Sequence, residues 1–230
     1  MTIKKRQMIK ELDELIKKRD TEGILELLDA NPEVVNELNE NGSSGLTTIA
    51  YSAMPDVFAK AVALKGDFTY HEAILAGKME IVKAYLDNDL SNKLNEYASD
   101  GFTPMALAAF FNQSEIAELL ANLGADPNLA ATNPTKVNAL HAAVAKENIS
   151  LCKLLLTKGA NVNAAQMSDV TPLHSAVHRG NLELTKLLVE NGAILDLPMQ
   201  NGDTALIIAE REGRQEILDY LRSKKSLGDN

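Results

Sequence analysis

Short apolar stretches separated by polar turns recur along the chain at nearly constant intervals. The clearest unit begins at Thr171, Pro172 and His174 and continues into an amphipathic stretch over residues 183–188. Threonine suits a helix N-cap, and proline suits the first helical position because no amide hydrogen is needed there. A Gly or Asn that can adopt a left-handed backbone then ends the helix. The pattern therefore predicts a short helix, a turn and a second helix of about ten residues.

This unit repeats with a period close to 33 residues. With His174 as the register, its predicted equivalents lie at spacings of 33, 33, 35, 35 and 21 residues: Ile207 downstream, then His141, Ala106, His71 and Ala50 upstream. Gly192 ends one second helix, and Asn-Gly or Asp-Gly pairs mark the turns that lead to the next unit. Such a period is typical of an all-α solenoid, in which each helix pair packs only against its neighbours.

The repeated residues resemble those of the ankyrin-repeat family. The segments that carry the resemblance are Thr171-Pro172-Leu173-His174 and Gly159-Ala160-Asn161-Val162-Asn163, and the match is strong from residue 68 to the C-terminus. The resemblance implies stacked helix-turn-helix units with tight turns or short hairpins between them. We expect one domain over residues 1–230, with an N-terminal cap and degenerate repeat over 1–67, regular repeats over 68–202 and a capping repeat over 203–230. The 21-residue step leaves five, six or seven units open.

Composition and charge narrow the choice of partner. Only 4% of the residues are aromatic and none is tryptophan, which favours helices packed through Ala, Leu, Ile and Val. A formal charge of −9 disfavours a general nucleic-acid-binding role, because phosphates are repelled. Residues 1–19 carry seven basic side chains, which could contact anionic lipid or nucleic acid. The favoured alternative is that these basic residues form a solvent-exposed helix face without a binding role.

The cysteine content and the apolar runs concern the compartment. Cys152 is the single cysteine, so no intramolecular disulfide can form, which fits a reducing compartment. The first residues lack the apolar stretch of a secretory signal, and no run of 18 apolar residues occurs. We expect a soluble, cytoplasmic protein, a monomer, without membrane insertion.

Candidate catalytic and metal chemistry is better explained by packing. His174 and His178 have the spacing of two metal ligands on one helix, but no third ligand is suggested. The resemblance implies that the repeated histidine, at His71, His141 and His174, hydrogen-bonds to backbone between adjacent turns. Cys152 occupies a core position and is expected to be a buried thiol. We expect that the protein is not an enzyme and that it binds no metal and no cofactor.

An aromatic cluster is the best candidate for a binding site. Phe102, Phe110 and Phe111 are three of the five phenylalanines, and the last two follow Ala106 at positions that carry charged or small residues elsewhere. The resemblance implies that these positions lie on the concave side, where ankyrin proteins bind partners. The predicted partner-binding residues are Phe102, Phe110, Phe111, Leu75, Lys146, His178, Arg179 and Arg211, which would suit a ligand with an apolar anchor followed by acidic groups. The alternative is that one ring packs against the irregular units.

These observations predict a non-enzymatic module that binds a protein or peptide. A regulatory or inhibitory subunit of an enzyme is the first alternative, and an enzyme with an unrecognised site is the less favoured one. Asn128 and Asn163 occupy a turn position that is sometimes hydroxylated in the family. Asparagine also suits such a turn structurally, so no modification is predicted.

Overall fold

The computed structural model describes the backbone of residues 3–228 and the side chains of residues 3–226. Over this range it contains fourteen α-helices in seven successive pairs, two 3-10 helices and no strand, apart from an isolated bridge between Leu38 and Ser44. The α-helices are α1 Ile3–Lys18, α2 Thr21–Ala30, α3 Gly45–Ala50, α4 Pro55–Leu64, α5 Tyr70–Leu75, α6 Met79–Lys93, α7 Pro104–Phe110, α8 Ser114–Asn122, α9 Ala139–Ala145, α10 Ile149–Thr157, α11 Pro172–Arg179, α12 Leu182–Glu190, α13 Ala205–Arg211 and α14 Gln215–Gly228. The 3-10 helices are Pro32–Asn36 and Met167–Asp169. None of the described helices is long and apolar enough to cross a bilayer.

The first helix of each later pair begins and ends in the same way. Its N-cap side chain accepts a hydrogen bond from the third helical amide, at Thr103, Asn138, Thr171 and Thr204. A residue with positive φ follows nine positions after the cap, at Asn112, Glu147, Gly180 and Gly213. The prediction that Thr171 is an N-cap and that Pro172 takes the first helical position is therefore confirmed.

The chain divides into two compact units, Met1–Asn88 and Asp89–Asn230. In the second unit, α7, α9, α11 and α13 form one row and α8, α10, α12 and α14 form the other. Leu107, Leu140 and Leu173 are buried along the first row. Apolar side chains of modest size fill this core, as the low aromatic content predicts.

The first unit has its own core. Helices α1, α3 and α5 follow one another in a row, and α2 packs against α4. Leu12, Ile24 and Leu46 are fully buried there. Within α6, Asp89 leaves the helical region of φ and ψ at the position where the two units divide. The expectation of a single domain over 1–230 stays a prediction, since compactness does not tell whether either unit folds alone.

Short hairpin turns connect the pairs of the second unit. Each closes with a backbone hydrogen bond of 2.8 to 3.0 Å, from Ala98 to Phe102, Ala131 to Val137, Gln166 to Val170 and Met199 to Asp203. Neighbouring turns are also joined, for example by the Met167 amide donating to the Thr135 carbonyl at 2.9 Å. The turn over residues 131–137 is two residues longer than that over 166–170, which explains the 35-residue interval before His141.

Two register assignments in the first unit were wrong. Helix α5 begins after its N-cap Thr69, so the third helical position, held by His174 in α11, is occupied by Glu72 and not by His71. Gly77, the residue with positive φ, follows the cap after eight positions rather than nine, because α5 is one residue shorter. Ala50 is likewise the last residue of α3, and its third position is held by Thr47.

Candidate partner-binding site

The structure brings the three predicted phenylalanines together. Phe102 precedes the N-cap of α7, Phe110 is its last residue and Phe111 is its C-cap. The ring centroids of Phe102 and Phe110 are 6.4 Å apart in a stacked arrangement, and those of Phe110 and Phe111 are 5.2 Å apart and nearly perpendicular. All three side chains are partly exposed. We call these three residues the aromatic cluster.

A lysine from the next helix pair extends the aromatic cluster. Lys146 is the C-cap of α9, and its Nζ lies 4.6 Å from the centroid of the Phe110 ring. This geometry is that of a cation–π contact, which is attractive because the ring face is electronegative. No ion pair of the described residues includes Lys146, and its side chain is exposed. Its ammonium group therefore faces solvent beside the aromatic cluster.

The basic end of the predicted binding surface also contains acidic side chains. Nδ1 of His178 lies 2.7 Å from Oε1 of Glu212, Arg179 lies 3.8 Å from Glu147, and Arg211 lies 2.5 Å from Asp203. Sequence reasoning missed these carboxylates. Two of them could have been found from the sequence, because Glu147 directly follows Lys146 and Glu212 directly follows Arg211 in the chain.

A depression of about 300 Å³ lies between α11 and α13. We call it the charged pocket, and it is lined by Val170, His174, Ser175, His178, Met199, Asn201, Asp203, Ile208, Arg211 and Glu212. A hydrogen bond from the Arg211 guanidinium holds the pKa of Asp203 below its usual value. The charges that surround the pocket are thus held in place by one another.

Leu75 does not belong to this surface, contrary to the prediction. Its side chain is only 1% exposed. Counted from the N-cap Thr69, Leu75 occupies the sixth helical position, which is also buried at Ala109 and Val144. Phe110 occupies the seventh position of α7. A shift of one residue turns a side chain by about 100° around a helix, which carries it from the surface into the core.

Two of the repeated histidines have the predicted structural role. Nε2 of His141 lies 3.0 Å from the carbonyl oxygen of Ala164, and Nε2 of His174 lies 2.9 Å from that of Leu197. Burial lowers the pKa of both rings, that of His141 to about 4. Both rings therefore act as neutral links to the following turn. His71, outside this position, instead packs edge-on against Tyr70, with the ring centroids 5.3 Å apart.

Sequence analysis did not predict the buried charge at Glu72. Its carboxylate accepts hydrogen bonds from Nζ of Lys65 at 2.8 Å and from Oγ of Ser44 at 2.5 Å, and both charged side chains are 5% exposed. The amide of Thr69 donates at 2.9 Å. Burial alone would raise the pKa of Glu72, but these hydrogen bonds outweigh it and hold the pKa below its usual value. The group stabilises the first unit from within.

The remaining candidate chemistry lies in the core. Cys152 is fully buried, as predicted for a thiol at a core position, and burial raises the pKa of this thiol to about 12, which disfavours the thiolate form. Residues 3–226, whose side chains the structure describes, include no group of three or more His, Cys, Asp or Glu that could hold a metal ion.

The two helix rows, the N-cap pattern and the histidine links define a solenoid of helix pairs joined by hairpins. A family model described as ankyrin repeats matches residues 15–131, 70–166 and 140–229, and the chain belongs to this family. It is also 30% identical, over 91 residues, to human ankyrin repeat and KH domain-containing protein 1. That match covers 40% of this chain and 4% of the relative, so the chain spans a small part of that protein's length. Ankyrin repeats are generally non-enzymatic modules of protein–protein interaction.

Proposed function

We propose that this chain is a non-enzymatic module that binds a protein or peptide partner through the aromatic cluster and Lys146. The observation that carries the proposal is the contact of three partly exposed rings, at 6.4 and 5.2 Å, on one surface. Grouped aromatic side chains within a polar rim are characteristic of binding hot spots, because they lose much apolar area on contact.

The surroundings of the aromatic cluster favour a particular kind of anchor. An apolar or aromatic side chain of the partner would cover the rings of Phe102, Phe110 and Phe111. A carboxylate next to it would reach the ammonium group of Lys146, which lies 4.6 Å from the Phe110 ring centroid. The expected partner segment therefore combines an apolar anchor with an adjacent acidic residue.

The test is the double substitution Phe110→Ser and Phe111→Ser. Partners recovered by affinity capture with the unmodified chain are purified and titrated one at a time. We expect their Kd to rise at least about tenfold with the double variant, or about 1.4 kcal/mol, while the variant stays folded. Tyr97→Ser is the matched control, because Tyr97 is an exposed aromatic residue outside the cluster.

Two outcomes would contradict the proposal. An unchanged Kd in a variant with an unchanged melting temperature would exclude the aromatic cluster as the binding site. A loss of stability of about 3–5 kcal/mol would instead show that the rings act mainly in packing.

The proposal extends to the state in which the chain acts. We propose a monomer in the cytoplasm, because the single cysteine is buried and the net charge of −9 opposes self-association. Sedimentation of the purified chain tests the first part, and a dimer at micromolar concentration would contradict it.

A further inference from the structure

The charged pocket has an apolar floor and a charged rim. Val170, Met199 and Ile208 contribute the apolar lining, and the rim carries two basic side chains, His178 and Arg211. Its volume of about 300 Å³ is enough for one side chain of a partner, at the low end of the range for small-ligand sites. The shape suits a residue with a short aliphatic stem and a polar end.

Basic and acidic groups of the rim differ sharply in exposure. The side chains of His178 and Arg211 are 72% and 54% exposed, whereas those of Glu212 and Asp203 are 19% and 14% exposed. The carboxylates therefore lie beneath the basic groups and hold them, as a supporting layer does in a preorganised site. A ligand that enters from solvent meets nitrogen donors first.

The two carboxylates are already engaged by the protein. Glu212 accepts from Nδ1 of His178 and lies 3.6 Å from Arg214, while Asp203 also accepts from Nδ2 of Asn201 at 2.9 Å. Arg211 donates one short hydrogen bond to Asp203, and its second terminal nitrogen lies 3.9 Å from Glu212, beyond hydrogen-bond distance. A guanidinium group has five N–H donors, so others remain for a ligand. Nδ1 of His178 already contacts Glu212 at 2.7 Å, so this nitrogen is not available to a ligand. Arg211 is thus the permanent donor of the site.

We propose that the charged pocket binds the carboxylate of an Asp or Glu side chain in the same partner segment that anchors on the aromatic cluster. This inference rests on the proposed function. The carboxylate accepts hydrogen bonds from Arg211, with His178 beside it, and the aliphatic stem lies against Val170 and Ile208. A planar guanidinium favours such a partner because it can donate two parallel hydrogen bonds.

The spacing of the two anchors follows from the helix row. Helices α7, α9, α11 and α13 are successive neighbours, and packed helices are about 8–10 Å apart. The charged pocket is therefore about two and a half helix spacings from Phe110, or about 23 Å. An extended chain advances about 3.3 Å per residue, so the apolar anchor and the acidic residue are about seven positions apart.

Selection of displayed random twelve-residue peptides on the full-length chain tests this spacing. We expect the selected peptides to carry a large apolar or aromatic residue and an Asp or Glu about seven positions away. On a variant with His178→Gln and Arg211→Gln, the acidic preference about seven positions away falls to the library background, while the aromatic preference and the acidic preference next to it, at Lys146, remain. One selected peptide, synthesised and titrated, should bind this variant at least about tenfold more weakly.

Three further arms keep the outcomes distinct. Arg222→Gln is the matched control, since Arg222 is an exposed arginine paired with Glu210 at 3.2 Å, and it should leave the selection unchanged. The single substitution Arg211→Gln serves if the double substitution lowers the melting temperature, and it should lower the distant acidic preference because it removes the main donor. The variant with Phe110→Ser and Phe111→Ser should lose the aromatic preference and keep the acidic one.

The inference fails if the selected peptides carry an aromatic residue without an acidic preference about seven positions away, or if that distant preference persists without Arg211 and His178. Either result leaves the proposed function standing. A selection that enriches no peptide on the unmodified chain overturns both.

Discussion

Both units bury a titratable side chain at the third position of the first helix of a pair, and they stabilise it by different means. In the first unit, Lys65 and Ser44 donate hydrogen bonds to the Glu72 carboxylate. The side chains of Lys65 and Glu72 are each only 5% exposed. In the second unit the rings of His141 and His174 are neutral and bond to the carbonyl of the following turn.

The difference shows what each solution requires. A buried charge needs its opposite nearby, because removal of one partner leaves an ion in a medium that solvates it poorly. A neutral imidazole needs no opposite charge. Its Nε2 bonds to a carbonyl oxygen of the following turn, and its Nδ1 accepts the backbone amide of the N-cap residue, at both Asn138 and Thr171. The histidine link can therefore recur along the solenoid, whereas the Lys65–Glu72 pair depends on one lysine at one place.

The largest expected effect is that of Lys65→Met, which leaves the Glu72 carboxylate buried without its cation. We expect a loss of about 3–5 kcal/mol in the free energy of unfolding, measured by urea denaturation. The matched control is Lys60→Met, because Lys60 pairs with Asp29, whose side chain is 70% exposed, and such pairs contribute about 0–1 kcal/mol. Equal losses in the two variants would remove the distinction between the units.

Acid should weaken the second unit at a higher pH than the first. The pKa of His141 falls from 6.5 to about 4 on folding, so its contribution is complete above pH 6.5 and is lost as the pH falls towards 4. The loss is about 3 kcal/mol for such a shift. The pKa of Glu72 lies below 4.5 in the fold, so its contribution is complete above pH 4.5 and is lost as the pH falls through that lower value.

Urea denaturation of the unmodified chain and of His141→Ala at pH 7, 5.5 and 4.5 measures this difference. The variant should show a flatter pH dependence between pH 7 and 4.5. A variant as acid-sensitive as the unmodified chain would mean that other groups control this range.

A smaller effect is expected from Ser44→Ala. Ser44 accepts the Thr47 amide as the N-cap of α3 and also donates to Glu72, so its removal should cost about 2–3 kcal/mol. Thr204→Ala removes a cap alone, with the Ile207 amide at 3.4 Å, and should cost about 1 kcal/mol. Similar losses by urea denaturation would indicate that the hydrogen bond to Glu72 contributes little.

Much of the geometry of the aromatic cluster was predictable because repeats place equivalent residues at equivalent positions. The contact among Phe102, Phe110 and Phe111 follows from their places around one inner helix. The burial of Leu75 was not predicted, because the register was set one residue early at His71, and an error of one residue moves a side chain by about 100° around the helix. From the repeat period alone, either His71 or Glu72 could occupy the third helical position. The position of the N-cap Thr69 in the structure shows that it is Glu72.

The sequence by itself determined the all-α solenoid, the N-cap at Thr171 and the first helical position of Pro172, because these depend on local propensity and on a period that every repeat restates. The histidine links were implied by the resemblance to the ankyrin-repeat family. Only the tertiary structure revealed the Lys65–Glu72 pair and the carboxylates beneath His178 and Arg211. Those contacts join residues from neighbouring helices and turns, and their energies depend on burial. Burial is set by the packing of the helices against one another, which no single repeat specifies.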